Sequence, residues 1–487
     1  MNHRIIRFAI VTTCLVFLGG CTTVPREGGF GDVEKLVADR TAMRIHWNQG
    51  SADDQSVEKM ILASLQEKMT VDQAVQIALL NNRSLQATYE ELGIAQADLV
   101  QAGLLKNPVF DGLFRFPDRA PRGPNVELAV TQDFIDILFI PARKKLAASQ
   151  FEVAKLRVAE AVVNLAANVR STFYRLQGAQ QMLEMRRTIV QVTEASADAT
   201  RRLHEAGNTN DLSLSNEQVL YAQSKLDLAE AEAEVMENRE RLNTLLGVWG
   251  LSTQWTIGDR LPELPQTDPS PQGMESLAMR QRLDLAAARG QIKVTGRALG
   301  LSRQFWFLPE LSIGIDTERE PAGGHVTGPS VSAAIPIFDQ GQATLAAGNA
   351  RLRQAQQQYQ GLAIEIRSQI RAARNRMVAA RARAEYYNRV VLPLRTKIVE
   401  QTQLQFNGMF VSVFQLLQTK QAQIDAGREY IDALRNYWIA RSELEKTAGG
   451  SLKGLPLESP DTMPTSTQPV SSSNDSKTQQ PQHNHGD

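Results

Sequence analysis

Aromatic residues make up only 6% of the 487 positions, while Ala, Gln, Leu, Glu and Arg fill long stretches. That is the composition of long helices and coiled coils. An excess of charge is also missing. Lys plus Arg number 53 and Asp plus Glu number 53, and no basic block occurs, which argues against an electrostatic nucleic-acid binder. Cysteine is nearly absent. Cys14 and Cys21 are the two, and neither has a Cys-x-x-Cys neighbour that would suggest a metal or redox site. No run of about 20 apolar residues offers a transmembrane helix. Walker, His-Glu-x-x-His and Gly-x-Ser-x-Gly sequences are all lacking, so nothing points to an enzyme or a cofactor. The length exceeds one ordinary core and implies two domains or a large repeat.

What is present begins with an export signal at residues 1–20. Arg4 and Arg7 form a positive start, and Ile5 to Leu18 is mostly apolar but short for a bilayer span. The segment ends Leu18-Gly19-Gly20-Cys21, which resembles a bacterial lipoprotein signal. The resemblance implies that the Cys21 thiol takes a diacylglyceryl group and becomes the first mature residue. Thr22 follows where an Asp would imply retention at the inner membrane, so outer-membrane sorting is expected. The other reading is an ordinary cleaved signal. One lipid anchor brings a chain to a membrane without making it span.

The rest is a tandem repeat at an offset of about 200 residues, and an internal repeat changes the expected fold. Leu203 to Gly207 matches Leu404 to Gly408, and Gln218 to Gly247 matches Thr419 to Gly449 with a one-residue slip. The divisions are an N-terminal anchor segment 21–69, a first repeat 70–261, a proline-rich linker 262–271, a second repeat 272–449 and a tail 450–487. Thr70 is an N-cap for Val71 to Asn81, and a helix follows from Ser84 to about Leu105. A long helix starts near Pro141 and runs to about His204, about 95 Å at 1.5 Å per residue. A turn follows at Gly207 to Asp211, and Asp211 or Ser213 caps a return helix that ends at Gly247.

In the second half a helix is predicted from about Gln340 to Phe406. Leu345, Leu352, Tyr359, Ile366, Ala373, Ala380, Tyr387 and Leu394 recur every seven residues, with Ala363, Ile370, Met377, Ala384, Val391 and Ile398 as the second heptad position. These residues specify shape. Pro393 should kink this helix.

Each half also carries two segments of period two, at about 109–116 and 126–134, then 311–316 and 330–335. Phe110, Phe114, Leu128, Val130, Ile313 and Val331 fall on apolar faces, with Asp111, Arg115, Glu127 and Asp316 opposite. This fits a transmembrane barrel strand and equally a half-buried soluble sheet. Four strands cannot close a barrel in lipid, and an open edge there is not viable. Spanning therefore requires two or more chains in one barrel.

Ala102-Gly103-Leu104-Leu105-Lys106-Asn107-Pro108, Ile335-Pro336-Ile337-Phe338-Asp339-Gln340-Gly341, Val391-Leu392-Pro393 and the turn glycines Gly207 and Gly408 together resemble the TolC family of outer-membrane efflux channels, from Thr70 to Gly449. Phe139-Ile140-Pro141-Ala142-Arg143 departs from the pattern where a glycine is usual. The resemblance implies a mainly α fold with a small β part. It implies a homotrimeric α-helical barrel in the periplasm joined to a shared twelve-stranded β-barrel in outer-membrane lipid. It further implies docking to a periplasmic adaptor (a membrane fusion protein) and an inner-membrane pump of the proton-driven resistance-nodulation-division type. The first and second of its segments look nearest the heavy-metal branch, a lean towards copper or cobalt–zinc–cadmium export. The rival reading is a periplasmic coiled-coil lipoprotein without a pore.

The resemblance also places the resting constriction on the helix after the second turn. Counted from Gly408, the positions are Phe410, Phe414 and Leu417, which with Val413 make an apolar stripe. They form either a hydrophobic gate that closes by dewetting or ordinary hairpin packing. Thr209, Ser213 and Asn216 stand in the matching places of half one. The turns at Gly207, Asn208, Gly408 and Met409 are expected adaptor contacts. The tail is rich in Ser, Thr, Gln and Pro, should be disordered, and ends His483-Asn484-His485, a weak metal-binding sequence at most.

Overall fold

The computed structural model describes residues 23–25, 27–120, 123–133, 136–305, 311–452 and 455–458. The signal, Cys21, Phe134 and the tail histidines lie outside them.

Eleven helices and eight strands follow in chain order among the described residues. Helices α1 (Phe30–Thr41) and α2 (Ala52–Gln66) precede β1 (Lys68–Met69), α3 (Val71–Asn81) and α4 (Arg83–Gln101). Strands β2 (Val109–Arg115) and β3 (Asn125–Asp133) lead to the 70-residue α5 (Asp136–Glu205) and its return α6 (Asp211–Leu246). Short strands β4 (Thr256–Ile257) and β5 (Asp268–Pro269) lie before α7 (Met274–Gln281) and α8 (Leu283–Phe305). Strands β6 (Leu311–Arg319) and β7 (His325–Ala333) lead to α9 (Gln342–Tyr386), a π segment at Tyr387–Val391, α10 (Leu392–Asn407) and α11 (Val413–Ala448). Strand β8 (Leu457–Glu458) is the last element described.

The duplication is visible down to the caps. The helix α6 and its counterpart α11 each run 36 residues and end on a left-handed glycine, Gly247 and Gly449. Each glycine abuts the break between two short helices. A Cβ on Gly247 would lie 2.7 Å from the Asn81 carbonyl oxygen, and one on Gly449 would lie 2.9 Å from the Arg282 nitrogen. Asn81 and Asn82 donate to the last carbonyls of α6, and Arg282 donates to the Thr447 carbonyl. These bonds satisfy helix-end carbonyls that have no partner within the helix. Thus α4 stacks on α6, and α8 on α11, while α5 spans both storeys at about 105 Å.

Thr70 caps α3 as expected, in a reciprocal box with Gln73. The segment 21–69 is more than an anchor lead. Val33, Val37, Ile45, Trp47, Ile61 and Leu65 are buried in one core with Val158, Val162 and Val169 of α5. Lys155 joins Asp32 at 2.8 Å and pins α1 to α5. The linker is likewise held. Within it Asp268 and Pro269 pair with Glu458 and Leu457, so the start of the tail closes a small sheet.

Two expected boundaries move. The strand pair β6–β7 runs past 311–316 and begins before 330–335. Thr317 pairs with Thr327, Glu318 with Val326 and Arg319 with His325, leaving only a short turn between the strands. Pro329 fits because β7 is an edge strand and spares one donor. The long helix of the second half is broken by the π segment. Widening one turn there makes room for Pro393 at the second position of α10. The return helix of the first half is capped by Asn210, whose side chain accepts from the Ser213 amide, and not by Asp211 or Ser213.

Candidate functional site

The four long strands form one antiparallel sheet in the order β2-β3-β6-β7. Its register aligns Phe110, Val130, Ile315 and Pro329 in one row, and Phe114, Val126, Arg319 and His325 in another at the β6–β7 turn end. Side chains alternate across a sheet, so this face is apolar except at that end. The opposite face carries Asp111, Glu127, Asp133, Asp316 and Glu318 against Arg115, which reaches Glu127 at 3.4 Å. The apolar face is largely uncovered: Phe110, Phe114, Val130, Ile315 and Val331 are all exposed. Both outer strands, β2 and β7, have a free edge in the single chain.

Below the sheet the helices form a layer. The order is α6, α5, α11, then α9 with α10. The hairpin turns of the two repeats use the same bonds. Asn208 donates to the Leu203 carbonyl and Gly207 to His204, just as Phe410 donates to Gln405 and Met409 to Phe406. The left-handed residue is Gly207 in the first turn (φ 73°) but Met409 in the second (φ 64°), while Gly408 keeps φ −82°. The caps agree, since Asn210 corresponds to Ser412. Gly408 therefore lies in the turn without being its left-handed residue. Its need for hydrogen is local, because a Cβ there would come 2.9 Å from the Phe410 ring.

This correspondence corrects the comparison of the candidate gate residues. Asn208, Leu212 and Ser215 match Phe410, Phe414 and Leu417, in place of Thr209, Ser213 and Asn216. One apolar residue, Leu212, thus occupies the place of Phe414 in the first repeat. Phe410 stands exposed at the tip, whereas Phe414 and Leu417 are half-buried on the first turns of α11. The buried residue on the first turns of α11 is Leu416, which the apolar stripe did not single out. Gly207, Asn208, Gly408 and Met409 are all at the exposed ends of the hairpins.

On the side of α5 away from α1–α3, the helix joint leaves a polar cleft of about 680 Å3. Glu160, Arg282, Asp284, Glu365, Arg376 and Lys446 line it. Burial first, and then the neighbouring Asp284, raise the Glu160 carboxyl above its ordinary pKa. None of these residues was singled out from sequence, because they converge only across the repeat.

The family described as outer membrane efflux protein matches residues 74–248. The cobalt-zinc-cadmium resistance protein CzcC of Cupriavidus metallidurans is 22% identical over 387 residues, 78% of this chain and 90% of that protein. Among solved structures, a membrane protein from Pseudomonas aeruginosa superposes with a TM-score of 0.66 at 19% identity, covering 78% of this chain and 93% of that one. The Campylobacter jejuni CmeC outer membrane channel gives 0.64 at 16% identity, with 78% and 85% covered. Over residues 74–248, from within α3 to just past the end of α6, this chain is similar to the outer membrane efflux protein family.

Proposed function

We propose that the protein is the outer-membrane exit duct of a tripartite efflux system, built from three copies. The observation that carries this reading is the sheet: one exposed apolar face, one polar face and two free edges. In hydrocarbon every backbone donor and acceptor must be satisfied, so the β2 edge of one copy pairs with the β7 edge of the next. Three copies give a ring of about twelve strands, within the range of transmembrane barrels. The apolar face meets lipid and the acidic face lines the lumen. The helical layers close in the same sense into a tube that extends into the periplasm.

The duct is passive. A periplasmic adaptor contacts the turns at Gly207, Asn208, Gly408 and Met409, and a proton-driven inner-membrane pump supplies the energy. Phe414 and Leu417, with Phe410 at the tip, narrow the periplasmic mouth and close it by dewetting. Cys21 carries the lipid anchor. Divalent metal cations are the cargo class favoured by the likeness to a cobalt-zinc-cadmium resistance protein and by the acidic sheet face.

The test is export on an ordinary cleavable signal without Cys21. A barrel protein stays integral to the outer membrane and resists carbonate extraction. A pore-less coiled-coil lipoprotein is released into the soluble fraction, and that outcome would overturn the duct.

A further inference from the structure

The buried seam of α9 runs Ile366, Ile370, Ala373, Met377, Ala384. Continued in the same heptad, it would next use Val391, Leu394 and Ile398. It does not. Beyond the π segment the buried residues are Val399 and Thr402, while Leu394 is 55% and Ile398 44% exposed. A π turn inserts one residue, which rotates all that follows by about 100°. Two aliphatic side chains are thereby turned out, and a threonine is turned in with its hydroxyl tied to the Ile398 carbonyl at 2.8 Å.

Helix α6, at the opposite edge of the layer, has the complementary peculiarity. Its inward positions every seven residues are Glu217, Ser224, Ala231 and Asn238. Ser196 donates to Glu217 at 2.6 Å, and Ser224 meets Thr193 at 2.8 Å. Its outward heptad is apolar: Leu212, Val219 and Leu226, the last two 68% and 62% exposed. A helix that buries its polar seam and displays its apolar one is not covered by its own chain.

The two displayed stripes sit at one level. The hairpin ends are nearly flush, since Gly427 of α11 lies against Met185 of α5, each about twenty residues from its turn. Leu394 and Ala222 are both about 14–15 residues from their turns, about 22 Å along each helix. They also belong to the edges that the sheet brings together. Strand β2 follows α4, which stacks on α6, and β7 leads into α9.

We infer that the π segment is a register switch that assigns Leu394 and Ile398 to the neighbouring copy, where they pack on Val219, Ala222 and Leu226 of α6. This rests on the proposed ring of copies and names the contact that closes its helical part.

The experiment is cross-linking in membranes with a short bis-maleimide. The pair Ala222→Cys with Leu394→Cys is expected to convert monomer on a denaturing gel into covalent dimers and trimers. The pair Ala222→Cys with Thr402→Cys is expected to stay monomeric, because Thr402 faces α11. Deleting Asn388 removes the extra residue and is expected to abolish the first cross-link. Native mass of the unmodified protein separates the two levels. Three-copy mass with no cross-link at 222–394, or with equal cross-linking at 222–402, overturns the switch and leaves the ring. A single-copy mass overturns the ring itself.

Discussion

Tyr437 donates its hydroxyl hydrogen bond to Asp268 at 2.6 Å, and neither residue has any exposed surface. Arg381 meets the other carboxylate oxygen at 3.0 Å, and Arg441 stands 3.3 Å from the first. Burial first, and the bond to Asp268 second, push the Tyr437 phenol above its ordinary pKa, so it remains a donor. This cluster fastens the linker between the repeats to α9 and α11. Asp268→Ala leaves two guanidinium groups without their buried counter-charge. Removing one partner of such a pair costs about 3–5 kcal/mol. The midpoint of heat-induced dissociation is expected to fall sharply, whereas Asp259→Ala, which breaks the exposed pair with Lys68, is expected to leave it unchanged.

The left-handed turn residues give opposite predictions in the two repeats. A non-glycine residue in that conformation costs about 1–2 kcal/mol. Met409→Gly should therefore stabilise the second hairpin by about 1 kcal/mol, and Gly207→Ala should destabilise the first by a similar amount. Hydrogen exchange of the adjoining helix ends would measure both. Equal responses at the two sites would contradict the assigned turn geometry.

Gly247→Ala and Gly449→Ala should be far more harmful than Gly207→Ala. Each adds left-handed strain and also drives a Cβ into backbone of the opposing helix break, whereas a Cβ on Gly207 meets nothing. The expected result is loss of assembled protein from the outer membrane, read by immunoblot of unheated samples.

Much of this fold was legible in the sequence because it repeats. Thr70, Gly247 and the strands near 109–116 and 126–134 carry local signals strong enough to place elements within a residue or two. What escaped depends on context. The π segment has no sequence sign beyond Pro393, so the heptad was extended through it and Leu394 was assigned to the seam. Helices α1 and α2 have ordinary composition and are ordered by packing, α1 on α5 and α2 on α3. The strand ends at Thr317 to Arg319 are polar, and only pairing with His325 to Thr327 makes them sheet. For the candidate site, the acidic face was readable by alternation, whereas the match between the two turns needed the hydrogen bonds that assign Met409 to the place of Gly207.

The apolar mouth yields its own expectation. On the proposed gate, Phe414→Ala with Leu417→Ala is expected to widen and wet the constriction, and resting conductance should rise several-fold while the assembly stays intact. Leu416→Ala is the contrasting variant. It removes a buried hairpin side chain, and should lower stability by about 2–5 kcal/mol. Unchanged conductance in the double variant would return Phe414 and Leu417 to simple packing.

Asp111, Glu127, Asp316 and Glu318 lie in adjacent rows of the polar sheet face. Rings of carboxylates favour cations. Reversal potentials in a salt gradient should show preference for potassium over chloride, and Asp111→Asn with Asp316→Asn should reduce it. A preference unaffected by these changes would place the selectivity outside the sheet.

If copies of this chain enclose a water-filled passage across a membrane, purified protein added to a planar lipid bilayer is expected to give discrete, ohmic conductance steps from a species of three-copy mass. A homogeneous, folded preparation that inserts no conductance, or that conducts as a single copy, would contradict it.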